Sequence, residues 1–227
     1  MARSNELDAF WAGSAPGERD RYSDIKLIGS GAYSVVARAT NVATGEPMAI
    51  KRIAEVFYDA NEAKKVLREI RLLRDFRHPN VITLRGLIAP ASMETFDDIF
   101  MVTDFMDSDL RRVIKSKQPL PSEKVRSYMV QILAGLQHVH AISGIHRDLK
   151  PANLLVSPSR VTEATPHGLL RLCDFGLARV DSNVRAARRT ARQRAPVRPV
   201  IDLRCAPPRS RTSLARACAP LSEHHAT

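Results

Sequence analysis

The stretch HRDLKPANLLV, residues 146–156, sets a carboxylate (Asp148), an ammonium (Lys150) and a carboxamide (Asn153) close together ahead of an apolar run. An acceptor carboxylate can take or orient the proton of a hydroxyl nucleophile, and a nearby cation can steady a phosphoryl group in transfer. Asp174, in CDFG, adds a second hard oxygen donor, and hard oxygen donors suit Mg²⁺, which takes one or two carboxylates from a protein. Lys51, in MAIKRI, sits mid-strand in an otherwise apolar segment. It reads either as a solvated edge lysine or as a cleft lysine that pairs with phosphates, and the second reading needs an orienting carboxylate, for which Glu69 on the following helix is the candidate. By itself Glu69 reads as an ordinary exposed helix residue. Gly29 and Gly31, in IGSGAYSVV, lie between two strands. A glycine pair favours any tight hairpin, and it also lets backbone N–H groups approach phosphate oxygens. A strand follows rather than a helix, so the dinucleotide-fold fingerprint does not fit.

These groups need elements to hold them. Three antiparallel strands are expected from Tyr22 to Ile53, as YSDIKLIG, YSVVARAT and MAIKRI, with NVATGEP joining the second to the third. NEAKKVLREIRLLRDF (61–76) carries Val66, Ile70, Leu72 and Leu73 at helical spacing, which predicts an amphipathic helix. VITLRGLI (81–88) and DIFMVTDF (98–105) read as two more strands, so five strands and one helix make a small first lobe. Beyond Met106 helices dominate. DSDLRRVIKSK opens on the capping types Asp107, Ser108 and Asp109, and SEKVRSYMVQILAGLQHVHAIS (122–143) starts on Ser122 and carries Val125, Tyr128, Met129, Ile132, Leu133, Leu136 and Val139. HRDLKPANLLV follows that long helix, and a hairpin with LLRLCDF (169–175) as its second strand comes after it.

With 227 residues, 44% of them hydrophobic, the chain can bury the core of one large domain or of two lobes. No apolar run approaches the roughly 20 residues of a bilayer span, and MARSNELDAFW mixes charges where a signal peptide would be apolar. No membrane association is expected, and the compartment expected is the cytoplasm, with the nucleus as a second. Cys173, Cys205 and Cys218 show no paired spacing, so neither a disulfide framework nor a zinc site is indicated. The net charge of +11 divides into +4 over residues 1–180 and +7 over residues 181–227, where ten Arg and no Lys meet three acids and Gly is absent. The basic excess therefore sits in a tail that reads as disordered. Its arginines lack aromatic interleaving and amphipathic order, so no nucleic-acid partner is expected.

A Gly-rich hairpin, a strand lysine, a helix glutamate, HRDxKxxN and DFG occur in that one order, a highly specific conjunction. Residues 22–180 resemble the eukaryotic protein kinases. Within that stretch LREIRLLRDFRHPNVI, DIFMVTDFMDSDL, YMVQILAGLQHVH, HRDLKPANLLV and CDFGLARV are similar to the mitogen-activated protein kinases, with the cyclin-dependent kinases second. The resemblance implies an α+β, bilobal fold with a complete β-rich small lobe (22–106) and an incomplete helical large lobe (107–180). An extension (1–21) precedes these and the basic tail (181–227) follows. It implies ATP and Mg²⁺ as cofactors, protein Ser/Thr hydroxyls as acceptors, and protein substrates and an upstream activating kinase as partners.

Residue by residue, it implies that the loop Ile28, Gly29, Ser30, Gly31, Ala32, Tyr33, Ser34, Val35 and Val36 covers the nucleotide, with Val36 and Ala49 above the adenine and Leu155 beneath. Thr103 takes the gatekeeper position, the backbone of Asp104 and Met106 meets the adenine edge, and Asp109 reaches the ribose. Lys51 contacts the α- and β-phosphates and pairs with Glu69. Asp148 is the base or hydroxyl-orienting residue, Lys150 steadies the γ-phosphate, Asn153 and Asp174 hold Mg²⁺, and Arg147 receives the activation-loop phosphate.

The pattern also breaks. Ser34 replaces the third glycine of the loop, and VSPSRVTEATPHG is a longer connection than the family usually shows, read as a surface turn. Residues 181–227 hold no tyrosine, hence no Thr-x-Tyr motif, and Val197 follows Arg194-Ala195-Pro196 where an Ala-Pro-Glu anchor would place its glutamate. The expectation is a kinase sequence truncated after DFG, with the apolar face of the 122–143 helix uncovered and little or no phosphotransfer. A non-catalytic regulator that binds nucleotide or a kinase is the alternative. The tail's composition is what a shifted reading frame or a retained intron in GC-rich DNA spells.

Overall fold

The computed structural model describes residues 2–31, 33–94, 96–141 and 144–180; the expected basic tail lies outside the described residues. Five antiparallel strands form the first sheet: β1 (Tyr22–Ser30), β2 (Ser34–Asn41), β3 (Pro47–Ile53), β4 (Leu84–Ile88) and β5 (Ile99–Asp104), in the order β1-β2-β3-β5-β4. The register sets Lys51 opposite Val36 on one side and Met101 on the other. Strand alternation then turns successive β3 side chains to opposite faces, each with its own core. On one face Ile53 and Met101 pack with Val66, Ile70 and Leu73 of α2 (Ala60–Asp75). The helix starts on Asp59, whose carboxylate accepts from Asn61 N, and it ends at Phe76, three residues before Pro79.

The other face of the sheet holds an element where the sequence predicts an extension. Helix α1 (Ala2–Trp11) seats Phe10 and Trp11 among Tyr22, Ala37, Ala39, Met48, Ile50 and Phe100. Trp11 stacks on Tyr22 at 5.9 Å and on Phe100 at 6.1 Å. The chain then runs along the strand segment after β4, where Ala15 N donates to Ala89 O (2.8 Å) and Ala91 N donates to Gly13 O (2.9 Å). This covers a sheet edge that would otherwise offer free backbone groups. Gly13 makes the turn with φ +85°, a conformation that glycine adopts without strain.

The expected strand 81–88 begins only at Leu84, because the second lobe claims the residues before it. Val81 bridges Leu172, and Ile82 N donates to Leu172 O at 2.9 Å. That lobe contains β6 (Ser108–Asp109), α3 (Leu110–Lys115), α4 (Ser122–Ala141), β7 (Gly144–Ile145), β8 (Leu154–Ser157), β9 (Leu169–Leu172) and β10 (Arg179–Val180). Of the three capping candidates before α3 the structure uses Asp109, whose carboxylate accepts from Arg112 N at 2.9 Å. β6, β8 and β9 form one sheet, and β7 pairs with β10. The strand expected over 169–175 stops at Leu172, since Cys173 N turns to Asn153 O (3.0 Å) and Asp174 takes a left-handed φ of 63°. The long connection from β8 to β9 is a turn at the surface, as expected.

Helix α4 splits the apolar set of its sequence. Tyr128, Ile132 and Val139 are buried against β9 and its neighbours, whereas Val125, Met129, Val130 and Leu133 are 45, 49, 61 and 60% exposed. The buried stripe includes a polar residue, Gln131, whose amide accepts from Asn80 Nδ2 and Leu170 N and donates to Gly168 O. Among the described residues no helix is long and apolar enough to cross a membrane.

Candidate active site

The site lies where the first sheet, α2, and the loop between β7 and β8 meet. Lys51 Nζ stands 3.4 Å from Glu69 Oε2, with the two side chains 33% and 9% exposed. Glu69 is thus not a solvated helix residue: it sits on the inner stripe of α2 with Val66, Ile70 and Leu73. Burial pushes its carboxyl above the usual carboxylate range, with Lys51 opposing the rise and Asp174 adding to it. For Lys51 burial pulls downward, and Glu69 and then Asp174 outweigh it, so the ammonium is held above its ordinary value. The lysine is therefore fully charged at neutral pH, and two carboxylates act on it from two lobes.

The catalytic-type loop is closed by its own hydrogen bonds. Lys150 Nζ donates to Asp148 Oδ2 at 2.6 Å, and Asn153 Nδ2 donates to Asp148 O at 2.9 Å and Oδ2 at 3.0 Å. The Lys150 hydrogen bond is the main reason that the Asp148 carboxyl lies below its ordinary range; burial opposes it, and Asn153 adds to the lowering. Lys150 is raised in turn, chiefly by the same bond. His146 braces the loop from beneath. Its Nδ1 accepts from Asp148 N (3.3 Å), which makes Nε2 the protonated nitrogen that meets Cys173 O at 3.0 Å. Arg147, with φ 68°, and Asp174, with φ 63°, hold the left-handed conformation that non-glycine residues rarely adopt, and such positions cluster where a side chain must be aimed.

Asp174 is aimed by its neighbour. Phe175 is fully buried, its ring 4.8 Å from Phe76 at the end of α2 and 4.8 Å from His146. Asp174 then acts electrostatically on Lys51, Glu69 and Lys150 together, so one carboxylate shares its field with both halves of the site. Asn153 Nδ2 is spent on Asp148. A carboxylate at Asp174 and a carboxamide oxygen at Asn153 are hard oxygen donors, whose chemistry suits a Mg²⁺ that keeps water and phosphate ligands and does not suit a soft transition metal. Among the described residues no group of three or more His, Cys, Asp or Glu could hold a metal ion. Cys173 carries a thiol that burial, and then the Asp174 carboxylate, push far up, so it is an unreactive neighbour.

The glycine hairpin closes with Gly31 N donating to Ser34 O at 2.7 Å, and Tyr33 O accepts from Ala54 N at 3.0 Å just past β3. Gly29 pairs with Val36 and Ser30 with Val35, Ile28 and Tyr33 are 41 and 68% exposed, and Ala32 lies outside the described residues. Thr103 faces Ala49 across β5 and β3. Met106 is buried, and Leu155, half-buried in β8, pairs with Asp109 of β6. The Asp109 carboxylate is engaged as the α3 cap and with Arg112 Nε at 3.3 Å. The structure thus brings Lys51, Glu69 and Asp174 into one field and Asp148, Lys150 and Asn153 into one hydrogen-bonded loop.

Two features of the site carry no local signal in the sequence. The Asp104 carboxylate, 4% exposed, accepts from Arg85 Nε of β4 (2.5 Å) and from Arg171 of β9, so the segment between the lobes is clasped from both sides. Arg68 Nη1 donates to Gly176 O at 2.6 Å, and burial followed by the charges of Arg179 and Arg147 lowers its pKa. The three arginines share one positive field.

Comparison with known proteins matches residues 22–196 to the protein kinase domain family. The chain is 44% identical over 161 residues to extracellular signal-regulated kinase 1 of Dictyostelium discoideum, covering 71% of this chain and 29% of that protein. It is 44% identical over 167 residues to mitogen-activated protein kinase 8 of Arabidopsis thaliana (74% and 27%). To mitogen-activated protein kinase 4 of Oryza sativa subsp. japonica it is 43% identical over 162 residues (71% and 42%). The chain therefore spans between about a quarter and two fifths of the length of these curated relatives.

Proposed function

We propose, from the premise that this chain belongs to the protein kinase family and is of its mitogen-activated type, that its site transfers the γ-phosphoryl group of ATP to Ser or Thr hydroxyls of proteins. The observation that carries the reading is the formed Lys51–Glu69 pair with the Asp174 carboxylate acting on both its members, across from the Asp148–Lys150–Asn153 loop.

Lys51, held by Glu69, grips the α- and β-phosphates, and the backbone of Gly29 to Ser34 lies over them. Asp148, ionised at neutral pH and with its pKa lowered further by Lys150, accepts the hydrogen of the substrate hydroxyl. The hydroxyl oxygen bonds to the γ-phosphorus as the bond to the β-phosphate oxygen breaks, and ADP leaves with that electron pair. Lys150 lies within one hydrogen bond of Asp148 and steadies the charge on the transferring group. Asn153 and Asp174 would hold Mg²⁺, which when bound neutralises charge on the phosphates. Protein substrates and an upstream activating kinase belong to the same proposal, with Arg147 beside Arg68 and Arg179 as the seat of an activating phosphate. Nothing in the site favours the non-catalytic regulator.

For these 227 residues alone we expect nucleotide binding with weak phosphotransfer, because the Val125, Met129 and Leu133 face of α4 is open to solvent. The test joins residues 1–180 to the remaining large lobe of a mitogen-activated relative and follows γ-phosphoryl transfer to a Ser/Thr protein substrate. Transfer abolished by Asp148→Asn supports the proposal; a folded, nucleotide-binding chimaera without transfer overturns it.

A further inference from the structure

The joint between α2 and α4 contains two imidazoles that no step above uses. His78, in the turn after α2, stacks on His138 of α4 with ring centres 5.1 Å apart and planes inclined by 22°. Each ring spends a lone pair on a backbone N–H. Asn80 N donates to His78 Nδ1 at 3.1 Å, and Arg77 N donates to His138 Nε2 at 3.4 Å. The Phe76 ring meets His138 edge-on at 6.0 Å, and its other neighbour is Phe175 at 4.8 Å, the residue that seats Asp174. An unbroken run of rings thus leads from the stacked pair to the carboxylate expected to hold the metal.

The charged groups on the elements that meet here do not welcome further positive charge. On α2 and its turn they are Arg74, paired with Asp75 at 3.6 Å, and Arg77, whose guanidinium donates to the carbonyls of Arg74 and Phe76. On α4 there is His140, and from β9 Arg171 donates to Pro79 O while its charge is claimed by Asp104. No carboxylate acts on either imidazole; burial lowers both, and for His138 the neighbouring His78 lowers it further.

We propose that His78 and His138 are positioning residues that keep α2 docked on α4, and Phe76 under Phe175, only while both rings are neutral, so that mild acid loosens the site. Protonation of either ring removes the lone pair that its backbone N–H uses, and protonation of both sets like charges face to face. A group whose folded pKa is depressed contributes stability that is present above the ordinary imidazole value of 6.5 and is lost as pH falls from there toward the folded value.

The part of this inference that concerns nucleotide rests on the kinase reading, and the experiment separates the two. The whole 227-residue chain, His138→Phe and His78→Asn are compared between pH 7.5 and 5.5. The readouts are ring titration by NMR, denaturation midpoint and affinity for Mg-ATP. His138→Phe keeps a ring over His78 without a proton, and His78→Asn keeps an acceptor for Asn80 N. Wild type is expected to titrate both rings below the ordinary range, and to lose both midpoint and affinity over that span. Both variants are expected to lose distinctly less. Equal pH dependence in wild type and both variants, or rings that titrate at or above the ordinary value, overturns the proposal. Absent nucleotide binding at every pH refutes the kinase reading, while the midpoints and ring titrations still decide the role of the pair.

Discussion

Gly135, inside α4, is the point where that helix touches the strand leading to Asp174. A methyl group there would meet Asn80 O at 2.8 Å, Leu172 Cδ1 at 3.0 Å and Leu172 Cγ at 3.2 Å. Two effects of Gly135→Ala oppose one another. Alanine in a helix interior is favoured over glycine by about 1 kcal/mol. Against this stands overpacking, which costs about 1–3 kcal/mol in a closed core and more where the obstacle is backbone. Leu172 is fully buried in β9, so its side chain has nowhere to swing, and the Asn80 carbonyl accepts from Leu172 N at 2.9 Å, so it cannot tilt without losing that bond. Overpacking should win, with a net loss of about 1–2 kcal/mol measured by urea denaturation of the 227-residue chain. Because Leu172 lies two residues before Asp174, the displaced strand should also weaken Mg-ATP binding. A variant more stable than wild type would mean that α4 and β9 do not approach as described, and with them would go the argument for how Asp174 is aimed.

Other outcomes follow from single contacts. Trp11→Ala should cost about 3 kcal/mol, because it opens the stack on Tyr22 and Phe100, whereas Trp11→Phe should cost far less, since the Trp11 Nε1 is buried without a partner; chemical denaturation of both distinguishes them. Lys150→Met removes the largest influence lowering Asp148, so a carbon-13 NMR titration should find that carboxyl risen toward its ordinary value of 3.8. A depressed carboxylate gives stability that is present above the ordinary value and lost on acidification, so wild type should lose more stability than the variant as pH falls through that range. Leu133→Lys, on the exposed face of α4, should leave the denaturation midpoint almost unchanged and reduce self-association in sedimentation.

What the sequence made legible was local. HRDLKPAN and CDFG carry their chemistry at short spacing, and α2 declares itself through Val66, Ile70 and Leu73, so the chemistry and the elements bearing it could be placed before any coordinates. Pairings across long stretches of chain left no such mark. Asp104 is reached by Arg171, 67 positions away, and Asn80 by Gln131, 51 positions away, and no local pattern announces either contact. Helix α1 leaves no sequence signal because MARSNELDAFW has no apolar stripe: among its described side chains Phe10 and Trp11, at its end, enter the core. Charge alone argues for exposure of Glu69; its burial, which the pairing with Lys51 requires, follows from its position on the inner stripe of α2, marked by Val66, Ile70 and Leu73. The late start of β4 reflects competition, since Val81 and Ile82 bond to Leu172 of the other lobe rather than to β5.

The most direct test of the account is equilibrium binding of Mg-ATP to the folded 227-residue chain, repeated without Mg²⁺ and with Lys51→Met and Asp174→Asn. Saturable binding that weakens at least tenfold when Mg²⁺ is withheld or either side chain is replaced is the expected result, since each change removes either a positive partner of the phosphates or a carboxylate expected to hold the metal. Binding that ignores the metal and both substitutions, or a folded chain that binds no nucleotide, would contradict it.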